Sequence, residues 1–282
     1  MQLKDIYIRD PYIFPYCGVY YMYGKERADA VCFCVYKSRD LKEWDKSLKV
    51  FVPPAGFWAT EDYWAPEVHE YKGRFYMFAS FKAPSRCRAT QILVSDAPDG
   101  CFVPLTDHPV TPPEWECLDG TLYTDKNGRP HIVFCHEWTQ IGNGTVCEME
   151  LSADLKTAVS TPRLLWSASD YSGVVDARND TVSKVTDGPF LHRLKSGELI
   201  AIWSSFNKNG YAVLIARSDN GDVDGIWTVD SESLIDINGG HGMVFNTFSG
   251  KTMLVMHRPN ENPYERAVLL ELKEDNGRLS LQ

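Results

Sequence analysis

This 282-residue chain has no window of the roughly 18 apolar residues a membrane-spanning helix needs. It has no Lys- or Arg-rich run and no long segment with the helical period of about 3.6. The first absence argues against a membrane-spanning helix. The second, with a formal net charge of -9, argues against nucleic acid or an anionic membrane as a partner. The third predicts little helix. No Gly-rich phosphate loop joins a strand pattern to a helix pattern, and no Gly-x-Ser-x-Gly elbow is present, so nucleotide and serine-hydrolase chemistries lack their residues. His136-Glu137-Trp138-Thr139-Gln140 lacks the second His of a zinc helix and closes a strand pattern, which removes that reading too.

Cysteine is missing after Cys147. Cys32-Phe33-Cys34 points both thiols to one face of a strand, too close to bridge comfortably, so buried free thiols are expected rather than disulfides. Since Met1-Gln2-Leu3-Lys4-Asp5 contains no apolar leader, a cytoplasmic location is expected, with the periplasm or secretion as the alternative if a leader has been removed. Asn143-Gly144-Thr145 and Asn179-Asp180-Thr181 match the glycosylation sequon, a pattern too common by chance to carry weight.

What the chain does have is one sentence written five times. Asp187-Gly188-Pro189-Phe190-Leu191 leads through Ser196-Gly197 into the apolar run Leu199-Ile200-Ala201-Ile202-Trp203, a hairpin with a carboxylate at its leading edge. Asp10-Pro11-Tyr12, Ala65-Pro66-Glu67, Asp119-Gly120-Thr121 and His241-Gly242-Met243 open the other copies. The leaders recur at intervals of roughly 55, 54, 68 and 54 positions, a strand-built repeat that predicts an all-β, five-bladed β-propeller with four antiparallel strands per blade, in one domain over 1–282. In a propeller, equivalent residues of every blade meet at the axis. Asp10, Ala65, Asp119, Asp187 and His241 are therefore expected together, three carboxylates and an imidazole in one pocket.

Between blades, Ser38-Arg39-Asp40-Leu41 before Trp44, Ser95-Asp96 before Phe102, and Ser218-Asp219 before Trp227 read as structural turns whose polar side chains bond their own backbone while the aromatic plugs a gap. Gly56-Phe57-Trp58-Ala59-Thr60-Glu61-Asp62-Tyr63-Trp64 holds more aromatics than a connector needs. Aromatic faces stack on sugar rings and carboxylates accept their hydroxyls, so Trp58 and Trp64 are candidate sugar platforms. Glu137 and Trp138 are expected at the pocket mouth. The polar segment from Ala168 to Lys184 accounts for the long third interval and is expected over the pocket or on the surface.

A lone Asp before Pro or Gly is usually a turn residue. Three at equivalent positions crowd like charge, which raises at least one pKa and points to a ligand. Splitting a glycosidic bond needs one carboxylic acid and one carboxylate, and three aspartates supply both.

In order and spacing, Asp10-Pro11, Trp64-Ala65-Pro66-Glu67-Val68, Leu118-Asp119-Gly120-Thr121, Asp187-Gly188-Pro189 and His241-Gly242 resemble the signatures of glycoside hydrolase family 43. The resemblance implies a five-bladed propeller acting on arabinose- or xylose-containing oligosaccharides with inversion. It implies Asp10 as general base, Asp119 as the carboxylate that tunes and orients the acid, and Asp187 as general acid. It adds a weakly bound calcium ion held through water at His241 as a possibility, with no cofactor required. The family usually has Glu where this chain has Asp187, a side chain shorter by about 1.5 Å, and Glu137 or Glu61 is the alternative acid. An inverting pair tolerates carboxyl separations of roughly 6.5–9.5 Å, so a shorter acid need not abolish the chemistry.

The candidate substrate-binding set is Trp58, Trp64, Glu67, Glu137, Trp138, Trp203, His241 and Arg258. The leading expectation is an exo-type α-L-arabinofuranosidase or β-xylosidase, with an endo-1,5-α-L-arabinanase as enzymatic rival. A sugar-binding propeller with impaired catalysis is the alternative of another class. A glycoside phosphorylase would need Arg88, His257 and Arg258 clustered for phosphate.

Overall fold

Each repeat alternates apolar and polar residues and is broken by a Gly-containing turn, the pattern of a half-buried strand pair. In the computed structural model, which describes residues 1–275 and 277–282, these repeats become five separate antiparallel sheets of four consecutive strands. Blade one is β1 (Tyr12–Tyr16), β2 (Val19–Gly24), β3 (Phe33–Ser38) and β4 (Leu48–Phe51). Blade two is β5 (Glu61–Tyr71), β6 (Arg74–Ala83), β7 (Arg86–Ser95) and β8 (Val103–Pro104). Blade three is β9 (Cys117–Thr124), β10 (Pro130–His136), β11 (Thr145–Glu150) and β12 (Arg163–Ser167). Blade four is β13 (Asp187–Arg193), β14 (Leu199–Asn207), β15 (Gly210–Ser218) and β16 (Trp227–Val229). Blade five is β17 (Gly240–Asn246), β18 (Thr252–Arg258), β19 (Arg266–Asp275) and β20 (Arg278–Leu281). The chain is a five-bladed β-propeller, and its one α-helix among the described residues is a single turn, α1 (Trp138–Ile141).

Burial is spread between neighbouring blades, as stacked repeats require. One apolar cluster joins Phe33 and Phe51 of blade one to Phe81 of blade two, and another joins Trp166 of blade three to Trp203 and Trp227 of blade four. The inter-blade turns behave as expected: the backbone amide of Leu41 donates to Ser38 Oγ at 2.9 Å, and Trp44, Phe102 and Trp227 are buried. All eight cysteines are free thiols. Cys34, Cys117, Cys135 and Cys147 are buried in strands, whereas Cys17 and Cys101 are exposed, because they sit in the β1–β2 turn and in the connection before β8.

No blade borrows a strand from another part of the chain. Blades one and five meet instead through side chains and a few backbone bonds. Arg9 Nη1 reaches Glu265 Oε1 at 3.0 Å, the Phe248 amide donates to Tyr20 Oη at 3.0 Å, and the Ile8 amide donates to the Glu265 carbonyl at 3.3 Å.

Candidate active site

In blades two to five the innermost strand enters its sheet through a bulge, and in all five blades the residue at this position has left-handed backbone. Asp10 (φ 52°), Ala65 (44°), Asp119 (55°), His241 (51°) and Gly188 (51°) share this conformation. It costs a non-glycine residue on the order of 1–3 kcal/mol and is typical of strained functional positions. The register corrects the repeat in blade four. Asp187 pairs with Ser204 just as Trp64 pairs with Ser80, Leu118 with Cys135 and Gly240 with His257. The structural counterpart of Asp10 and Asp119 is therefore Gly188, and Asp187 stands one residue earlier. Alternation along the strand gives it a different direction of approach to the same centre.

Three of these amides are held by a side chain of the preceding blade's second strand. The Asp119 amide donates to Ser80 Oγ at 2.8 Å, the His241 amide to Ser204 Oγ at 2.8 Å, and the Asp10 amide to His257 Nδ1 at 3.3 Å. At the matching position of blade three stands Cys135, whose thiol is a weak acceptor. The Gly188 amide donates instead to Asp119 Oδ2 at 3.0 Å. A Cβ on Gly188 would lie 2.7 Å from the His241 ring, so close approach as well as φ requires glycine there.

His241 Nδ1 lies 3.2 Å from Asp10 Oδ1 and 3.8 Å from Asp119 Oδ2, so one imidazole faces two of the three carboxylates. Burial would raise the pKa of Asp10, but His241, Arg9 (Nε 3.7 Å away) and His257 outweigh it and hold the carboxyl well below the usual carboxylate range. Burial together with the charges of Asp187 and Asp10 pushes Asp119 up to about 7, against the pull of His241 and the Gly188 amide. Asp187 is raised by burial and by Asp10, despite His241 and a hydrogen bond from Tyr211 Oη to its Oδ2 at 2.9 Å. For His241, burial lowers the pKa but the three aspartates raise it more. One carboxyl is thus shifted toward its ionised form and its neighbours toward their protonated forms, the division of labour an acid–base pair requires.

The aspartates line a cavity of about 540 Å³. Tyr7, Arg9, Lys25, Asn262 and Glu265 come to it from blades one and five and their connections. Trp64, Glu137, Trp138, Ala177, Val185 and Phe206 come from blades two to four and their connections. Arg88 lies with its guanidinium carbon 4.2 Å over the Trp64 ring, pairs with Glu137, and reaches Asp62 Oδ2 at 2.7 Å. Burial raises Glu137 while Arg88 opposes that shift.

Of the residues singled out from the sequence, Asp10, Trp64, Asp119, Glu137, Trp138, Asp187 and His241 line this cavity. Four do not. Trp58 lies in a separate depression beside Pro104–Asp107, its Nε1 donating to Gln91 Oε1 at 3.0 Å. Glu67 is buried against His69, 3.2 Å away. Trp203 is fully buried between blades three and four, because it is Ser204, one residue on, that faces the axis. Arg258 is exposed and donates to the Ile237 carbonyl at 2.9 Å. Glu61 is exposed at the start of β5 and does not line the cavity. The phosphate cluster is not assembled either: Arg88 is neutralised by two carboxylates, and His257 is wholly buried under Asp10. No group of three His, Cys, Asp or Glu side chains could hold a metal among the described residues. Calcium favours about six to eight oxygens, and His241 Nδ1 is turned to Asp10, so these residues do not fit the ion.

Arg9, Glu265 and Tyr211 were missed in the sequence. Arg9 carried a signal by preceding Asp10. The other two reach the axis only through the ring of blades.

Residues 5–275 match the family described as Glycosyl hydrolases family 43. A solved endo-arabinase from Bacteroides thetaiotaomicron is 38% identical with a TM-score of 0.93, covering 99% of this chain and 98% of that one. A thermostable family-43 glycoside hydrolase of 22% identity (TM-score 0.83, 98% and 92% covered) shares the fold. So does an endo-1,4-beta-xylanase from Bacteroides thetaiotaomicron of 23% identity (TM-score 0.80, 98% and 94% covered). Comparison with curated proteins finds no match.

Proposed function

Because this chain belongs to glycosyl hydrolases family 43 and is a glycoside hydrolase, we propose that it cleaves arabinose- or xylose-containing oligosaccharides with inversion at the axial cavity. Asp10, ionised, takes a proton from the water that attacks the anomeric carbon. Asp187, kept protonated by burial, gives its proton to the departing glycosidic oxygen. Asp119 accepts the Gly188 amide and so fixes the backbone beside Asp187, which orients the acid. His241 and Arg9 keep Asp10 ionised. Tyr211 fixes the rotamer of the short acid.

The opposite pKa shifts of Asp10 and Asp187 within one cavity carry this reading. A cavity of about 540 Å³ at the axis, lined from all five blades, supports an exo-type arabinofuranosidase or xylosidase. The relative of 38% identity is an endo-arabinase, and this supports endo-acting arabinanase as the second reading. A panel of arabino- and xylo-oligosaccharides, with product anomers read by NMR at early times, tests both. Retention of configuration would refute the assigned roles, and long products from polymer would select the endo mode.

A further inference from the structure

The axial cavity does not absorb the aromatic stretch that begins at Gly56. Trp58 stands in a second depression, of about 430 Å³, beside Pro54, Phe57, Pro104, Thr106 and Asp107. Its two walls are the connection that follows β4 and the chain at and just beyond the end of β8. Consecutive strands of a blade run in opposite directions, so both walls lie at the end of the propeller where β5 and β9 begin and where the axial cavity lies. The indole is fixed before any ligand arrives. Its Nε1 donates to Gln91 Oε1 at 3.0 Å, and Gln91 is wholly buried. Gln91 Nε2 donates in turn to the Thr106 carbonyl at 3.2 Å, so one buried amide ties the two walls together. Phe57 and Phe81 support the ring at centroid distances of 6.0 and 6.4 Å. Trp58 is nonetheless only half-buried, and the side chain of Asp107 is 98% exposed.

We propose that this depression is a second glycan-binding site, apart from the axis, where Trp58 stacks on one unit of a neutral pentosan chain and Asp107 accepts its hydroxyls. The inference rests on the pentosan-hydrolase reading for the identity of the chain. Two observations select that occupant. An indole already locked by its polar edge offers an apolar face at little entropic cost, which suits the apolar face of a sugar ring. The Asp107 carboxylate, held ionised by its hydrogen bond with His108, and the formal net charge of -9 disfavour phosphorylated or carboxylated ligands. A single stacked ring binds weakly, so the site acts by linkage. A polymer seated in the axial cavity brings its own distant units to Trp58 at high effective concentration, whereas a trisaccharide seated there has none to spare. The site therefore sets a preference for long chains and takes no part in bond breaking.

The test compares kcat/KM on whichever of linear arabinan and xylan is cleaved with kcat/KM on the matching trisaccharide. Trp58→Ala is expected to lower the polymer-to-trisaccharide ratio by about tenfold, through KM, with the trisaccharide constants unchanged. Trp58→Phe, which keeps a ring, is expected to recover most of that loss, and Asp107→Ala to lower the ratio by roughly threefold. An unchanged ratio in Trp58→Ala overturns the inference. So does an equal loss on polymer and trisaccharide, the mark of damaged packing. If Trp58→Ala fails to fold, the ratio in Asp107→Ala decides in the same way. If the protein hydrolyses neither substrate, the hydrolase reading falls, and affinity electrophoresis in gels containing arabinan or xylan tests the site alone. Retardation of the wild type that is lost in Trp58→Ala and weakened in Asp107→Ala upholds the site. Equal retardation in all three proteins, or none in the wild type, removes it.

Discussion

The backbone amide of Gly188 donates to Oδ2 of Asp119 across 3.0 Å, tying the bulge that carries the proposed acid to the carboxylate of the preceding blade. That bond exists because Cys135 stands where other blades supply Ser80, Ser204 or His257 as acceptor. Gly188→Ala would place a methyl 2.7 Å from the His241 ring at a φ of 51°. The expected outcome is a loss of roughly 2–4 kcal/mol in stability and loss of activity, read by urea denaturation and by assay.

Asp10→Asn removes the base while keeping its shape. Hydrolysis is expected to fall by about 10²–10⁴-fold, with ligand affinity retained. Asp187→Asn should be as damaging with natural oligosaccharides but far less so with a pentosyl fluoride, whose departure needs no proton. Equal losses on both substrates would remove Asp187 from the role of acid.

Activity is expected to rise as Asp10 loses its proton, well below the usual carboxylate range, and to fall as Asp119, raised to about 7, and Asp187, raised by burial, lose theirs. Tyr211→Phe deletes a hydrogen bond that favours ionised Asp187. Asp187 should then keep its proton to higher pH, moving the upper limb of the kcat/KM profile upward. A downward shift would contradict the assignment.

The same charges govern stability. Asp119 has a folded pKa raised to about 7, so its contribution is fully present below its unfolded value and is lost as pH rises through 7. Asp119→Asn removes that charge and can still accept the Gly188 amide. The variant is expected to be inactive and, at pH 8, more stable than the wild type by roughly 1–2 kcal/mol, with a smaller difference at pH 5. Chemical denaturation at the two pH values checks this.

The repeat made the blade count legible, because period-two strands and Gly-containing turns are local signals. Asp10, Asp119 and His241 were legible for the same reason, each holding the left-handed position at or just before the start of its blade's first strand. Blade four hid its offset: Asp and Gly are adjacent, and only the pairing of Asp187 with Ser204 shows that Gly188 holds the equivalent place. Trp203 was misplaced by the same single residue, since one step along a strand exchanges the axial face for the packed one. Trp58 shares an aromatic loop with Trp64, yet its indole is anchored to Gln91 of β7 and away from the axis, a contact no spacing rule reveals. Tyr211 and Glu265 arrive from strands and connections whose neighbours are set only when the ring closes.

With no exchanged strand between them, blades one and five form a seam, and the seam crosses the chemistry. Arg9 and Asp10 sit on one lip, Glu265 and His257 on the other. Parting these lips takes His241 and His257 away from Asp10, and with His257 its backbone anchor, before any sheet need melt. On gentle heating, catalytic output should therefore decay at a lower temperature than the far-ultraviolet signal of the strands. Covalently stapling the two lips should bring the two transitions together.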